Sequence, residues 1–331
     1  MSRDDYLYAA GVVRHLESNL LNPTDVERMV DAPDMESAFR VFHDTDYFDN
    51  VGDIAPAEFN QSLEADLLQA KERIIEMCPD EKLVALVFMR HDYHNLKLLM
   101  KQKYFHQDAT AWASPLSTVP FATLQENLMQ EAQHELPDYI QRGIDLVEEK
   151  AATVEVQSAY IDRWLDRQYF AERVQIAQEI DSQWIMDLVV LQIDMANLKT
   201  WIRGRRFQLD DRYLLAEVLM NGNVTLDDYE SLLGLSNEEA LQRLTTLVPS
   251  SLQPALERFR ETDSLETLER DLENAELAHV REAQFIDYGP ELPLAYYYAK
   301  KNAIRNVRLI MSGKLNGLPG DAIKPYIREL Y

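Results

Sequence analysis

The chain has 331 residues, 46% of them hydrophobic and 27% charged, with a formal net charge of −24. This composition supports packed cores and excludes a disordered chain, and the length suits two or three domains of ~100 to 200 residues. The acidic balance argues against nucleic acid as a partner, because phosphate binding depends on Lys and Arg.

The opening MSRDDYLYAAGVV carries aspartates where a secretory leader would be basic, and its apolar run continues into RHLESNLL. It predicts a first helix rather than a leader. Asn22-Pro23 marks the next helix start. Leu63, Leu67, Ala70, Ile74 and Met77 fall on one helical face, which Cys78-Pro79-Asp80 brings to an end. Cys78 is the only cysteine. It allows no intrachain disulfide and no cysteine-built zinc or iron–sulfur centre, and it points to a reducing, cytoplasmic compartment. Helical patterns follow before Ser114-Pro115 and before Asn221-Gly222-Asn223. Ser236 with Glu239 predicts a capping box at the start of NEEALQRL, and Pro249-Ser250 ends that helix. Leu265, Leu268, Leu272 and Ala275 mark another, Gly289-Pro290 precedes the last long one, and Gly317-Leu318-Pro319-Gly320 stops it.

No segment alternates like a strand, so the fold class is all-α. Apolar runs such as Tyr6 to Val13 fall far short of the ~20 residues of a membrane span. The 10 glycines include no G-x-G arrangement, which removes Rossmann and P-loop phosphate cradles.

Three segments repeat. Residues 91–105 read HDYHNLKLLMKQKYF, residues 193–207 read IDMANLKTWIRGRRF and residues 302–316 read NAIRNVRLIMSGKLN. In register, Asn95, Asn197 and Asn306 coincide, followed two residues on by Lys97, Lys199 and Arg308. Asp92 and Asp194 match, while Ala303 stands at that place in the third copy. A second match aligns TDVERMVDAPDMESAFRVF, from Thr24, with LDDYESLLGLSNEEALQRL, from Leu226. The pattern predicts three tandem helical units, at residues 1–108, 109–209 and 210–331. Tyr93, Leu96 and Met100 share a face that recurs as Met195, Leu198, Ile202 and as Ile304, Val307, Met311, and these are expected to be core. Asparagine is a poor helix-interior residue, so each of the three requires a side-chain partner on a neighbouring helix or loop. The copies end in positive charge: Lys101 and Lys103, then Arg203, Arg205 and Arg206, then Lys314. Cations in a last turn complement the helix dipole by ~0.3 to 1 kcal/mol. The sharper expectation is that these six residues dock a partner.

On YLYAAGVVRHLESNLL, DAPDMESAFRVFHDTDY, FMRHDYHNLKLLMKQK, IDMANLKTWIRGRR and YYYAKKNAIRNVRLIMSGKLNGLPGDAIKPYIREL, the chain resembles the C subunits of the V/A-type rotary ATPases. That family is the counterpart of the d subunits of eukaryotic V-ATPases. The resemblance implies three similar helical domains in an approximately threefold, funnel-shaped arrangement. It further implies a non-catalytic central-stalk part, peripheral on the cytoplasmic face of the membrane. There it would join the shaft, made of the D and F subunits, to the proteolipid ring and pass torque for ATP-driven ion transport or ATP synthesis. No cofactor, nucleic acid or small-molecule substrate is implied.

A competing reading is a di-iron carboxylate enzyme. Glu131 with His134, and Glu276 with His279, form two Glu-x-x-His motifs on predicted helices. Chance supplies on the order of one such motif in a chain this rich in glutamate. His91 and His94 are i, i+3 neighbours and lack a visible third ligand. Tyr296, Tyr297 and Tyr298 point in different directions round a helix and are expected to include core positions.

Overall fold

The structure, a computed structural model, describes residues 1–45, 55–108, 110–130 and 132–331. Asp46, Tyr47 and Glu131 of the motifs above lie outside the described residues. Among the described residues the chain is all-helical, with no strand. In order the helices are α1 (Leu7–Glu17), α2 (Pro23–Asp31), α3 (Met35–His43), α4 (Phe59–Met77), α5 (Glu81–Phe105), α6 (Phe121–Met129), α7 (Asp138–Ala151) and α8 (Ser158–Ile180). They continue with α9 (Gln183–Arg206), α10 (Asp211–Glu217), α11 (Leu226–Glu230), α12 (Asn237–Leu247), α13 (Gln253–Thr262), α14 (Leu265–Arg281), α15 (Glu291–Leu315) and α16 (Gly320–Ile323).

Helix ends fall where local chemistry puts them. Asn22 caps α2 through Asp25 N–H, with Pro23 in the first turn, and Asp80 caps α5 through Lys82 N–H. Ser236 and Glu239 form the reciprocal pair at the start of α12, with Glu239 N–H donating to Ser236 Oγ at 3.2 Å and Ser236 N–H to Glu239 Oε2 at 3.0 Å. Each such cap satisfies backbone donors that a helix start leaves orphaned and contributes ~1 kcal/mol.

The helices group into two compact units, one of Met1–Pro79 with Val190–Tyr331 and one of Asp80–Val189. In the second, α5 packs against α6, α7 and α8. The predicted face of Tyr93, Leu96 and Met100 is buried there.

Two hydrophobic clusters of the first unit involve the repeated helices. One joins Leu198, Trp201 and Ile202 of α9 to Leu214, Tyr229, Leu244, Leu256 and Leu272. The other joins Ile304, Val307, Ile310 and Met311 of α15 to Met29, Phe39, Phe42 and Leu63 of the N-terminal helices. The face predicted from the third copy is therefore core, and it is paired with the opposite end of the chain.

Helix α15 is buried on most sides, and its buried charges have partners. Lys300 Nζ lies 2.8 Å from Asp66 Oδ1, Glu291 pairs with Arg3 at 2.8 Å, and the Lys314 ammonium donates to the Ala32 carbonyl at 2.5 Å. Breaking one partner of such a pair strands a charge in low dielectric. Tyr296 and Tyr297 are buried on the same helix, while Tyr298 is half-buried and accepts from Gln192 Nε2 at 2.8 Å.

The similarity between the second and third copies runs further than residue 316. Gly204 and Gly313, then Leu214 and Ile323, are separated by the same offset as Asn197 and Asn306. In both copies the glycine lets a side chain from the following short helix pack directly on the long helix. A Cβ at Gly313 would meet Ile323 Cδ1 at 2.7 Å, and one at Gly204 would overlap Leu214. Gly11 in α1 has nothing within 4 Å of such a Cβ. Gly313→Val is therefore expected to cost about 1 to 3 kcal/mol by overpacking. Gly11→Ala should stabilise by about 0.5 to 1 kcal/mol through helix propensity. Urea unfolding of the two variants measures both signs.

Candidate functional site

The feature common to all three copies is what each asparagine holds. On α5, Asn95 Nδ2 donates to the Ser114 carbonyl at 3.0 Å while its Oδ1 accepts from Ser114 N–H at 2.7 Å. On α9, Asn197 does the same to Leu219, at 3.0 and 2.8 Å. On α15, Asn306 does it to Arg328, at 2.9 and 2.9 Å. Each amide thus clamps both backbone groups of a single residue 19, 22 and 22 positions downstream. All three asparagines are at most 2% exposed. Few side chains can do this: the carboxamide offers one donor and one acceptor side by side, matching a backbone N–H and C=O. Leu219 and Arg328 also obey the offset that relates Asn197 to Asn306, so the second and third clamps are equivalent position for position.

One turn earlier on the same face, the aspartates hold the segment that follows the clamp. Asp92 Oδ1 accepts from Thr118 N–H at 2.6 Å and Val119 N–H at 3.2 Å, and Oδ2 accepts from Thr118 Oγ1 at 2.9 Å and Tyr139 OH at 2.8 Å. Asp194 accepts from Asn223 Nδ2 at 2.7 Å and Val224 N–H at 3.2 Å. Ala303 has no carboxyl, so the third copy keeps the amide clamp and lacks this second tie. Burial pushes both carboxyls above the ordinary value, outweighing the hydrogen bonds that pull them down.

The basic residues are engaged within the chain. Lys97 pairs with Asp166 at 2.5 Å, Lys101 with Asp162 at 2.7 Å and Lys103 with Glu148 at 2.6 Å. Arg203 pairs with Glu269, Arg205 with Asp211 at 3.2 Å, and Arg206 with Asp263 at 3.3 Å. Exposed Arg308 donates to Asn60 Oδ1 at 3.1 Å, and Lys199 is half-buried. Lys314 differs from the others: at 7% exposure its charge is committed to the end of α2.

The di-iron reading finds no footing. Helix α6 ends at Met129 and His134 lies outside any helix. His134 Nε2 is 2.8 Å from Glu126, His279 Nδ1 is 3.4 Å from Glu282, and Glu276 accepts from Gln192. His94 and His91 bind the Trp112 carbonyl and Ser114 Oγ, at 2.9 and 2.8 Å. Among the described residues no group of three His, Cys, Asp or Glu side chains converges as a metal site.

The clamp residues Ser114, Leu219 and Arg328 were invisible in the sequence, because only their backbone groups are used. The signal that could have found two of them is the register continuing beyond the third copy.

Replacing Asn95, Asn197 or Asn306 by Ala leaves a backbone N–H and C=O without partners in a part-buried setting, and about 2 to 4 kcal/mol of stability should be lost. Exposed Asn316, whose Nδ2 donates to the Ser312 carbonyl of its own helix, should change by less than about 0.5 kcal/mol on the same substitution. Denaturant unfolding of the four variants checks this.

Asp92 sets a pH dependence. Its carboxyl has an ordinary value of 3.8, which applies in the unfolded chain, and the folded value is higher. Below 3.8 both states are protonated and burial carries no charge penalty; as pH rises through the folded value a buried carboxyl ionises and stability falls. Asp92→Asn removes this titration. The stability of the unsubstituted chain minus that of the variant should therefore be larger at pH 3 than at pH 7, and equal differences at both would refute the assignment.

A model of the ATP synthase (C/AC39) subunit family matches residues 9–326. The chain is 23% identical to the C subunit of the V-type sodium ATPase of Enterococcus hirae, across 97% of each protein. It is 23% identical to the C subunit of the A-type ATP synthase of Methanocaldococcus jannaschii, covering 98% of this chain and 86% of that one. Against the C subunit of the A-type ATP synthase of Thermococcus kodakarensis the identity is 22%, covering 98% and 91%. Matched along nearly its whole length by a family whose relatives are C subunits of V-type and A-type ATPases, and all-helical as the repeats require, the chain belongs to the ATP synthase (C/AC39) subunit family.

Proposed function

We propose that this chain is the non-catalytic coupling piece of the central stalk of a V/A-type rotary ATPase. It stands on the cytoplasmic face of the membrane, between the shaft formed by the D and F subunits and the proteolipid ring. Torque passes through it during ATP-driven ion transport or ATP synthesis. It acts by shape, as three related helical units in an approximately threefold, funnel-like arrangement, with neither a small-molecule substrate nor nucleic acid among its partners.

The observation that carries this reading is the family match from residue 9 to residue 326, which spans all three copies of the clamped helix. The clamps supply a physical rationale. A part that transmits rotation must not yield internally, and an amide tied to both backbone groups of a distant residue resists sliding of the loop along the helix. Among the described residues no helix is long and apolar enough to cross a membrane, which is compatible with peripheral attachment. The partly exposed basic residues Lys101, Lys103 and Arg203 are proposed to contribute to docking by exchanging their internal carboxylate partners for external ones, while Arg205 and Arg206, candidates from the sequence as well, stay paired with Asp211 and Asp263. Lys314 is the least accessible of the six and acts in packing.

The test is capture. A tagged copy expressed in its own cells should bring down the membrane ATPase with its shaft and ring. Lys103→Glu, at an exposed ion pair, should lower that capture by at least threefold with helix content unchanged. Failure of the tagged chain to retain any part of the ATPase would overturn the role, and undiminished capture by the variant would overturn the docking assignment alone.

A further inference from the structure

Within the first unit, a cleft of about 830 Å³ opens between the C-terminal end of α9 and helices α12 and α13. Its floor is apolar: Trp201, Ile202, Leu241, Leu244 and Phe259 line it. Its rim carries charges of both signs, which divide cleanly once internal pairs are removed. Arg205 is held by Asp211, and Arg206 by Asp263. Exposed Glu238, Glu257 and Glu261 have no ion-pair partner among the described residues, and Arg260 is the single unpaired rim cation among them. The uncompensated rim is therefore acidic above a greasy floor.

The floor also differs from its counterparts in the other copies. Position 201 is Leu99 in the first copy and Ile310 in the third. Only here is it an aromatic residue with a polar edge. The Trp201 indole is 2% exposed, and its Nε1–H has no acceptor among the described residues. Its ring lies 5.1 Å from that of Tyr229, whose buried hydroxyl is likewise unpartnered among them. Unsatisfied buried donors are uncommon in finished protein interiors.

We propose that this cleft is a docking groove for a lysine- or arginine-rich amphipathic helix of a partner protein. The apolar stripe of such a helix packs on half-buried Leu241 and the exposed edge of Phe259. Its basic flanks reach Glu257 and Glu261, which are spaced i, i+4 and so present carboxylates one helical turn apart. Long Lys and Arg stems lie along apolar surface with their charged heads at the rim, and an aromatic floor favours cations. The rim repels small anions, and a small inorganic cation would leave the apolar floor uncovered. The groove thus selects a helix that is basic and apolar at once, and this selection stands independently of the rotary-ATPase assignment.

The experiment uses the purified full chain and two 14-residue peptides, one repeating Leu-Lys-Lys-Leu-Leu-Lys-Leu and one with every lysine replaced by glutamate. The indole N–H resonances of the chain's four tryptophans report the site, and the Trp201 signal is assigned by its loss in Trp201→Phe. The lysine peptide should shift that signal saturably, and the glutamate peptide should not. Glu257→Lys with Glu261→Lys, both at exposed positions, should weaken binding at least tenfold, as should Leu241→Asp. Glu149→Lys with Glu155→Lys, an equal charge change at exposed sites elsewhere, should leave the affinity within twofold. Equal weakening by both charge pairs would reduce the effect to net charge and overturn the site. Binding that survives the Glu257 and Glu261 changes, or equal binding of the glutamate peptide, would overturn it as well. Self-association of the chain that cleft variants abolish, without peptide binding, would overturn the proposal by assigning the groove to a second copy.

Discussion

A carboxamide in the middle of a helix, bonded to both backbone groups of one residue some twenty positions later, is the constraint on which each copy is built. Asparagine disfavours the helix interior because its amide competes for backbone partners. Here that tendency is turned outward, onto the loop that must return to the helix. The pairing satisfies a buried side chain and a part-buried peptide unit together, so neither alternative partner nor solvent offers an equal exchange. It also fixes register, since a loop shifted by one residue would present its N–H and C=O in the wrong order. Asp92 and Asp194 extend the tie by one turn in two copies, and its omission at Ala303 shows that the amide alone suffices to define the arrangement on α15.

Electrostatics follow a similar division between inside and outside. Buried charges on α15 are matched to specific groups, Asp66, Arg3 and the Ala32 carbonyl, while the cations at the ends of α5 and α9 sit in half-exposed pairs worth little each in water. Pairs of that kind separate readily in exchange for a better partner, whereas the buried ones hold the helix in place.

Much of this could be read from residue types. Helical spacing identified the buried faces of α5, α9 and α15, and cap and break residues located most helix ends because their chemistry is local. The recurrence of Asn95, Asn197 and Asn306 announced that an unusual partner was required. What stayed hidden is long-range. Ser114, Leu219 and Arg328 share no side-chain property, being recognised through peptide groups that every residue possesses. The salt partners of Lys97, Lys101 and Arg203 are ordinary acidic residues among many. Nor does amphipathic periodicity say which apolar face meets which, so the pairing of α15 with α2, α3 and α4 was not legible. The Glu-x-x-His motif at His134, weighed in the sequence against chance, has its histidine outside any helix because α6 stops before reaching it.

The pairing of α15 with the N-terminal helices has a consequence for how the chain is made. The core containing Met29, Phe42 and Leu63 is completed by Ile304, Val307 and Met311, so its two halves leave the ribosome far apart in time. The stretch Asp80–Val189 forms one compact unit of contiguous chain and can condense as soon as it emerges. Helices α2, α3 and α4 must wait, with apolar faces uncovered, until α15 has been synthesised. Loop closure over such a distance is slow and leaves sticky intermediates. Nascent-chain protection by chaperones therefore matters most for α2, α3 and α4, whose burial waits on the arrival of α15.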